Sequence, residues 1–290
     1  MTFYVIGNGF DCHYGLKTSY FHFKQFLLDN GYRELVDRVD TLFWERGFSP
    51  KEIEDWSDFE NMLAVFGDLD GDDIYNEAMD NAETDDDRAG YWDSPAWNVG
   101  FYNEYIKVLK QQFDLWIEQM DVTILPDHYF CLQSDDFLLT FNYTQTIEAN
   151  FKIKESNIFH IHGTTSKEII LGHNEDRKPY LLSVIEDEDS YYRDITTRKA
   201  VNDVLEQAAI QYYKNSSELL REHAHIFEDI ARYDRVVIMG LSCGSQDAIY
   251  VQTIVERAKQ IVFYYHGDAA KENMEDFADG TDIQVEYIYW

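Results

Sequence analysis

Gly7-Asn8-Gly9 stands directly behind a short apolar run, Phe3-Tyr4-Val5-Ile6, and leads into Phe10-Asp11. Glycine tolerates positive φ and lets backbone amides come close to a ligand's phosphate oxygens, so this turn suits a nucleotide-like molecule. Taken alone it serves equally well as a tight strand-to-helix turn. The usual dinucleotide pattern wants a third glycine, and Cys12 holds that place. No Gly-Lys-Ser/Thr phosphate loop is present, so an ordinary ATPase is not expected. Three more stretches follow apolar runs in the same way: Asn142-Tyr143-Thr144, His162-Gly163 and Gly240 through Asp247.

Metal chemistry finds little support. The three cysteines, Cys12, Cys131 and Cys243, form neither a disulfide framework nor a paired zinc spacing. Asp68-Leu69-Asp70-Gly71-Asp72-Asp73 is similar to a calcium loop, but its glycine comes too early for an EF-hand. No metal is expected. Cys12 and Cys243 read as small buried hydrophobes. Trp56–Glu60 reads as the start of a core helix, and His223 and His225 as helix-surface residues.

The elements that must position these residues alternate. Strands are expected at 2–7, Phe137–Asn142, Asn157–Ile161, Glu168–Leu171, Arg235–Gly240, Ile261–Tyr265 and Ile283–Tyr289. Helices are expected at Tyr20–Asp29 behind Thr18 and Ser19, Glu34–Trp44, Asp58–Phe66 behind Ser57, 100–120, Gln145–Phe151, Ile195 to about Arg232, and Gln246–Lys259. One more helix is expected before the last strand. Residues 173–195 read as mostly loop. Such alternation implies a parallel sheet covered on both faces, with ligands beyond the carboxyl ends of its strands. The four stretches above all lie there.

Acidic side chains number 55 against 24 basic ones, a net charge of −31. That surface repels phosphate backbones and anionic membranes, so neither free nucleic acid nor a bilayer is an expected partner. No apolar run could span a bilayer, no signal peptide precedes the first strand, and a cytoplasmic location is expected. The acids concentrate between Gly67 and Asp93. They mark residues 67–99 as an acidic, loop-rich insertion within one domain of 290 residues, with a short helix near Ile74–Asn81.

Four stretches recur in a fixed order: Gly7–Asp11 continuing through Gly15-Leu16-Lys17-Thr18; Phe141–Thr144 with Glu148; His160–Gly163 followed by Ile169–Gly172; and Ile238–Ser242 with Asp247. Together with Trp56–Glu60, their order and spacing resemble the AbiH family, proteins of abortive infection against bacteriophage, from Met1 to about Asp247. The same pieces are remotely similar to the sirtuin-like NAD-binding fold. That similarity implies an α/β, Rossmann-like parallel sheet with helical insertions, and NAD or a related nucleotide as substrate or ligand. It assigns cofactor contacts to Gly7, Asn8, Gly9, Phe10, Asp11, Thr18, Gly240, Ser242 and Asp247, and catalytic roles to Asn142 and His162. The implied reaction is hydrolysis of the nicotinamide–ribose bond. Asn142 would hold a ribose hydroxyl or the attacking water. His162, favoured over His160 by its place at the strand end before Gly163, would accept a proton. Asp11 would bind ribose hydroxyls or stabilise developing positive charge. Both Asn142 and His162 also have a plain structural reading. Thr144 stands where many relatives carry Asp, and the missing cysteine module argues against deacylation. The alternative function is a non-catalytic nucleotide sensor controlling a partner effector. A phage-derived trigger or protein partner is implied, and a homo-oligomer is left open.

Overall fold

The computed structural model describes residues 1–83, 95–125, 130–185 and 192–290. Six strands, β1 (Thr2–Ile6), β2 (Phe137–Thr140), β3 (Ile158–His160), β4 (Arg235–Met239), β5 (Gln260–Tyr265) and β6 (Gln284–Tyr289), form one sheet in the order β3-β2-β1-β4-β5-β6. Every pairing is parallel. β1 is buried along its whole length, as a central strand covered on both faces requires.

Alternation along the strands builds two layers. Phe3, Val5, Leu139, Val236, Ile238, Ile261 and Phe263 pack with Tyr250, Val251 and Ile254 of α12 (Ala248–Arg257). Tyr4, Ile6, Leu138, Val237, Met239 and Val262 pack on the opposite face with Phe10 and Phe130. The strand order reverses between β1 and β4, the switch point at which doubly wound sheets open a crevice for ligands.

The chain divides into two compact units. The first comprises Met1–Phe26, Asp114–Ile170 and Asn215–Trp290, and contains the whole sheet. The second comprises Leu27–Phe113 and Leu171–Lys214. Its helices include α3 (Arg33–Glu45), α6 (Gly71–Glu83) and α9 (Tyr192–Gln211); Ile74 and Ala78 of α6 pack with Val201, Val204 and Leu205 of α9.

Several expected elements differ. Ser57 does not cap a helix over Asp58–Phe66. Instead Ser49 caps Pro50–Asp55 through a reciprocal bond pair with Glu52, and the chain breaks at Trp56, whose φ is 47°. Trp56 is fully buried, stacks on Phe59 at 4.6 Å and donates to Asp40 Oδ1 at 2.8 Å. Packing of that indole therefore overrides helical continuity, and only Phe59–Met62 and a 3-10 turn at Leu63–Asp68 remain. The expected strand at Glu168–Leu171 is absent; Ile170 N–H bonds the His162 carbonyl as an extended loop. In the acidic stretch, Gly71–Glu83 is one helix longer than the expected Ile74–Asn81, and Pro95 already opens α7 (Pro95–Glu118). Residues 84–94 of that stretch lie outside the described residues, as do 186–191 of the expected loop.

Candidate functional site

The glycine turn behind β1 enters α1 (Asn8–His13) with Gly7 as its cap. Three of its amides are bonded within the fold. Gly7 N–H donates to Met239 O at 2.9 Å, Gly9 N–H to Gly240 O at 2.8 Å, and Phe10 N–H to Gly7 O at 2.9 Å. A Cβ on Gly7 would lie 2.6 Å from Gly240 O, and one on Gly9 would lie 2.8 Å from Gly240 Cα. The glycines are thus required because the turn behind β1 packs backbone to backbone on the turn behind β4. The Phe10 side chain is fully buried, edge-on to Tyr14 at 5.0 Å and Phe130 at 4.9 Å. Its side chain and its N–H are both committed to the fold.

Asn8 and Thr18 hold the next loop against α1. Asn8 Nδ2 donates to Thr18 O at 3.0 Å, and Thr18 Oγ1 lies 3.5 Å from Cys12 Sγ. Behind β4, Gly240 has φ +69°, Ser242 is exposed, and Asp247 is the cap residue of α12. Cys243, between them, is buried in a left-handed conformation at φ 53°, and burial pushes its thiol up. It is a core residue, as expected from sequence.

Asp11 is the chemical centre. It is 0% exposed although it carries a carboxylate. Thr144 Oγ1 donates to its Oδ2 at 2.5 Å, and Thr146 Oγ1 lies 3.1 Å from Thr144 Oγ1. Burial raises the Asp11 pKa to about 6; the polar side chains of Thr144, Thr146 and Asn142 and the nearby His160 oppose that rise. Next to it, His160 Nδ1 lies 2.9 Å from Asn142 O and its Nε2 2.7 Å from Glu148 Oε1. Both ring nitrogens of His160 thus face oxygen atoms, one a backbone carbonyl and one a carboxylate. Within this network Asp11 Oδ1, Asn142 Oδ1 and Glu148 Oε2 are buried without a hydrogen-bond partner.

His162 has other neighbours. It is 3% exposed and its ring meets Phe141 at 5.5 Å, Tyr250 at 5.9 Å and Tyr143 at 6.3 Å. In a continuing strand, residues two apart would share a face. β3 ends at His160, and the turn at Ile161-His162 parts the two histidines. The structure therefore brings Asp11 and Asn142 together and seats His162 in an aromatic cage. Thr146 and His160 are the members that sequence reading left out; a threonine every second residue after Asn142 was the available signal. In the second unit, Glu60 of the expected core helix also pairs with buried Lys214 at 2.6 Å.

The raised Asp11 pKa has a stability consequence. The folded state prefers the neutral acid, so this contribution is full below the unfolded value near 3.8 and is lost as pH rises through about 6. Above pH 6 the native protein carries a buried carboxylate at a cost on the order of 3 kcal/mol. Asp11→Asn is expected to be more stable than wild type at pH 8 and equal to it below pH 4. Urea denaturation at the two pH values checks this. Equal stability at pH 8 would mean that Asp11 carries no burial cost.

Among the described residues no group of His, Cys, Asp and Glu is placed to hold a metal ion, and no helix is long and apolar enough to cross a membrane. A six-stranded parallel sheet with a polar network beyond the carboxyl ends of β1, β2 and β3 defines a doubly wound α/β protein with a candidate site beside its switch point. The chain belongs to the AbiH family: the sequence model for Bacteriophage abortive infection AbiH matches residues 3–266. No curated protein and no solved structure matches it. Membership points to a role in phage abortive-infection defence.

Proposed function

We propose that the protein acts in abortive infection by binding NAD or a related nucleotide beyond β1, β2 and β3, and by cleaving its nicotinamide–ribose bond. One observation carries this: Asp11 Oδ1, Asn142 Oδ1 and Glu148 Oε2 are buried acceptors without partners in one network. Leaving such atoms unpaired costs about 1–3 kcal/mol each, so they suit a ligand that arrives with donors. Ribose hydroxyls are such donors; phosphate oxygens are not. The fit to the ribose is good, whereas the Gly7, Gly9 and Phe10 amides are committed elsewhere and do not serve the pyrophosphate. Thr18, Ser242 and Asp247 are the remaining contacts proposed for the rest of the nucleotide.

Cleavage of an N-glycosidic bond places positive charge on the ribose. Asp11, a carboxylate at neutral pH in a dry site, stabilises such charge or takes a proton from attacking water. Asn142 orients the hydroxyl or water, and the His160–Glu148 pair fixes Asn142 through its carbonyl. Purified protein incubated with NAD, NADP, ATP and ADP-ribose, with products separated by chromatography, tests the proposal. Binding without product formation selects the sensor; neither binding nor product overturns both.

Glu148→Leu removes both the oxygen facing His160 Nε2 and the unpaired Oε2 offered to the ligand, and is expected to weaken nucleotide affinity about tenfold. Glu148→Gln, which keeps an acceptor oxygen, should lose less. Calorimetric titration of the two variants checks the order; equal losses would show that the contact to His160 is irrelevant.

A further inference from the structure

The second unit contains a cleft of about 500 Å³ that the proposed nucleotide site does not use. Its lining combines apolar side chains, Leu42 and Phe66 among them, with two rows of acids. Glu34, Asp37 and Glu45 recur along α3, and Asp70, Asp73 and Glu77 recur across the start of α6. Spacings of three, four and eight residues keep each row on one helix face. From Glu34 to Glu45 the row runs roughly 16 Å at 1.5 Å per residue.

Two arginines also line the cleft, and both are engaged within the unit. Arg38 pairs with Glu34 at 3.5 Å and lies over the Tyr105 ring at 4.6 Å, and Arg46 donates to Asp68 O. Among the described residues Asp37, Glu45 and Asp73 form no ion pair. Apolar lining side chains beside two acidic rows, one of about three helical turns and one of about two, are complementary to a helix with apolar residues on one face and lysines or arginines flanking them. A small polycation would meet the acidic rows but leave the apolar side chains uncovered.

We infer that this cleft docks a basic amphipathic helix of a partner protein. The test uses the full chain and a labelled 14-residue Leu/Lys peptide whose leucines segregate to one helix face. A scrambled peptide of the same composition is the control. The segregated peptide is expected to bind at least tenfold more tightly, and Asp37→Asn combined with Asp73→Asn to weaken it about tenfold. Asp276→Asn combined with Asp282→Asn, exposed acids of the other unit, should leave affinity unchanged. Circular dichroism confirms that the variants are folded. Equal binding of the scrambled peptide, or equal losses in the two double variants, would reduce the effect to net charge and overturn the inference. Full displacement by spermine at the peptide's own concentration would replace the helix with a small polycation, and would overturn it also.

Discussion

Gly240→Ala is expected to lose the native fold or most of its stability. The residue sits at φ +69°, and a Cβ there would lie 2.0 Å from Phe10 N and 2.5 Å from Gly9 C. Those are backbone atoms at the join of β1 and β4, so no side chain can swing away to relieve the clash. Left-handed strain in alanine accounts for about 1–2 kcal/mol. The overlap adds to this, and a total of roughly 4 kcal/mol or more belongs with the severe core substitutions. In a protein of this size that lowers Tm by about 10 °C or more. Gly280→Ala separates the two contributions: its φ is +71°, and its Cβ would meet nothing within 4 Å. It should cost only the conformational part. Gly9→Ala, with contacts at 2.8 Å and no positive φ, should fall between the two. Thermal unfolding of the three variants checks the order. If Gly240→Ala and Gly280→Ala melt together, the turns are not packed as described.

That expectation changes how the opening motif is understood. From the sequence, two glycines behind a strand suggest amides waiting for phosphate. In the fold, the same glycines let two chain segments touch at the switch point. Sequence spacing shows that a backbone must come close to something at Gly7 and Gly9; it does not show whether that something is a ligand or Gly240, more than two hundred residues away. Loss of nucleotide binding in a Gly9 variant is therefore informative only beside its melting temperature.

Other features were legible because they depend on local pattern. The short apolar runs Phe3–Ile6 and Val236–Met239, each closed by glycine, read as buried strands, and alternation with amphipathic helices implied the parallel sheet. Asn142 was visible as a polar residue behind such a strand. Ser49 was missed because the helix behind Pro50 is short and has no buried residue to mark it. The Asp11 network was only half legible. Its members Thr144, Thr146 and His160 come near Asp11 through tertiary structure across more than 130 residues, Glu148 joins through His160, and nothing at Asp11 itself announces its burial.

The last expected result decides which groups act. If NAD is hydrolysed, Asp11→Asn and Asn142→Ala should each lower turnover by about 10²–10⁴-fold, the usual contribution of a positioned acid–base group or of lost orientation. Asp11→Asn should do so while raising stability at pH 8, a combination that a damaged fold cannot produce. The two losses should not multiply, because both residues serve one bond-breaking event. His162, placed by sequence beside Asn142 in the reaction, is expected to behave differently. Phe141 and Tyr143 flank Asn142 in the chain, and it is their rings that His162 meets. His162→Ala should open a cavity among these rings and cost about 2–4 kcal/mol, with a smaller change in turnover of the remaining folded protein. His160→Ala, by contrast, should lower turnover more than His162→Ala, because it releases both Asn142 and Glu148. Single-turnover rates of the four variants, each measured beside its urea midpoint, separate these outcomes. A loss at His162 as large as that at Asp11, with stability intact, would restore His162 as the proton acceptor and displace Asp11 from that role.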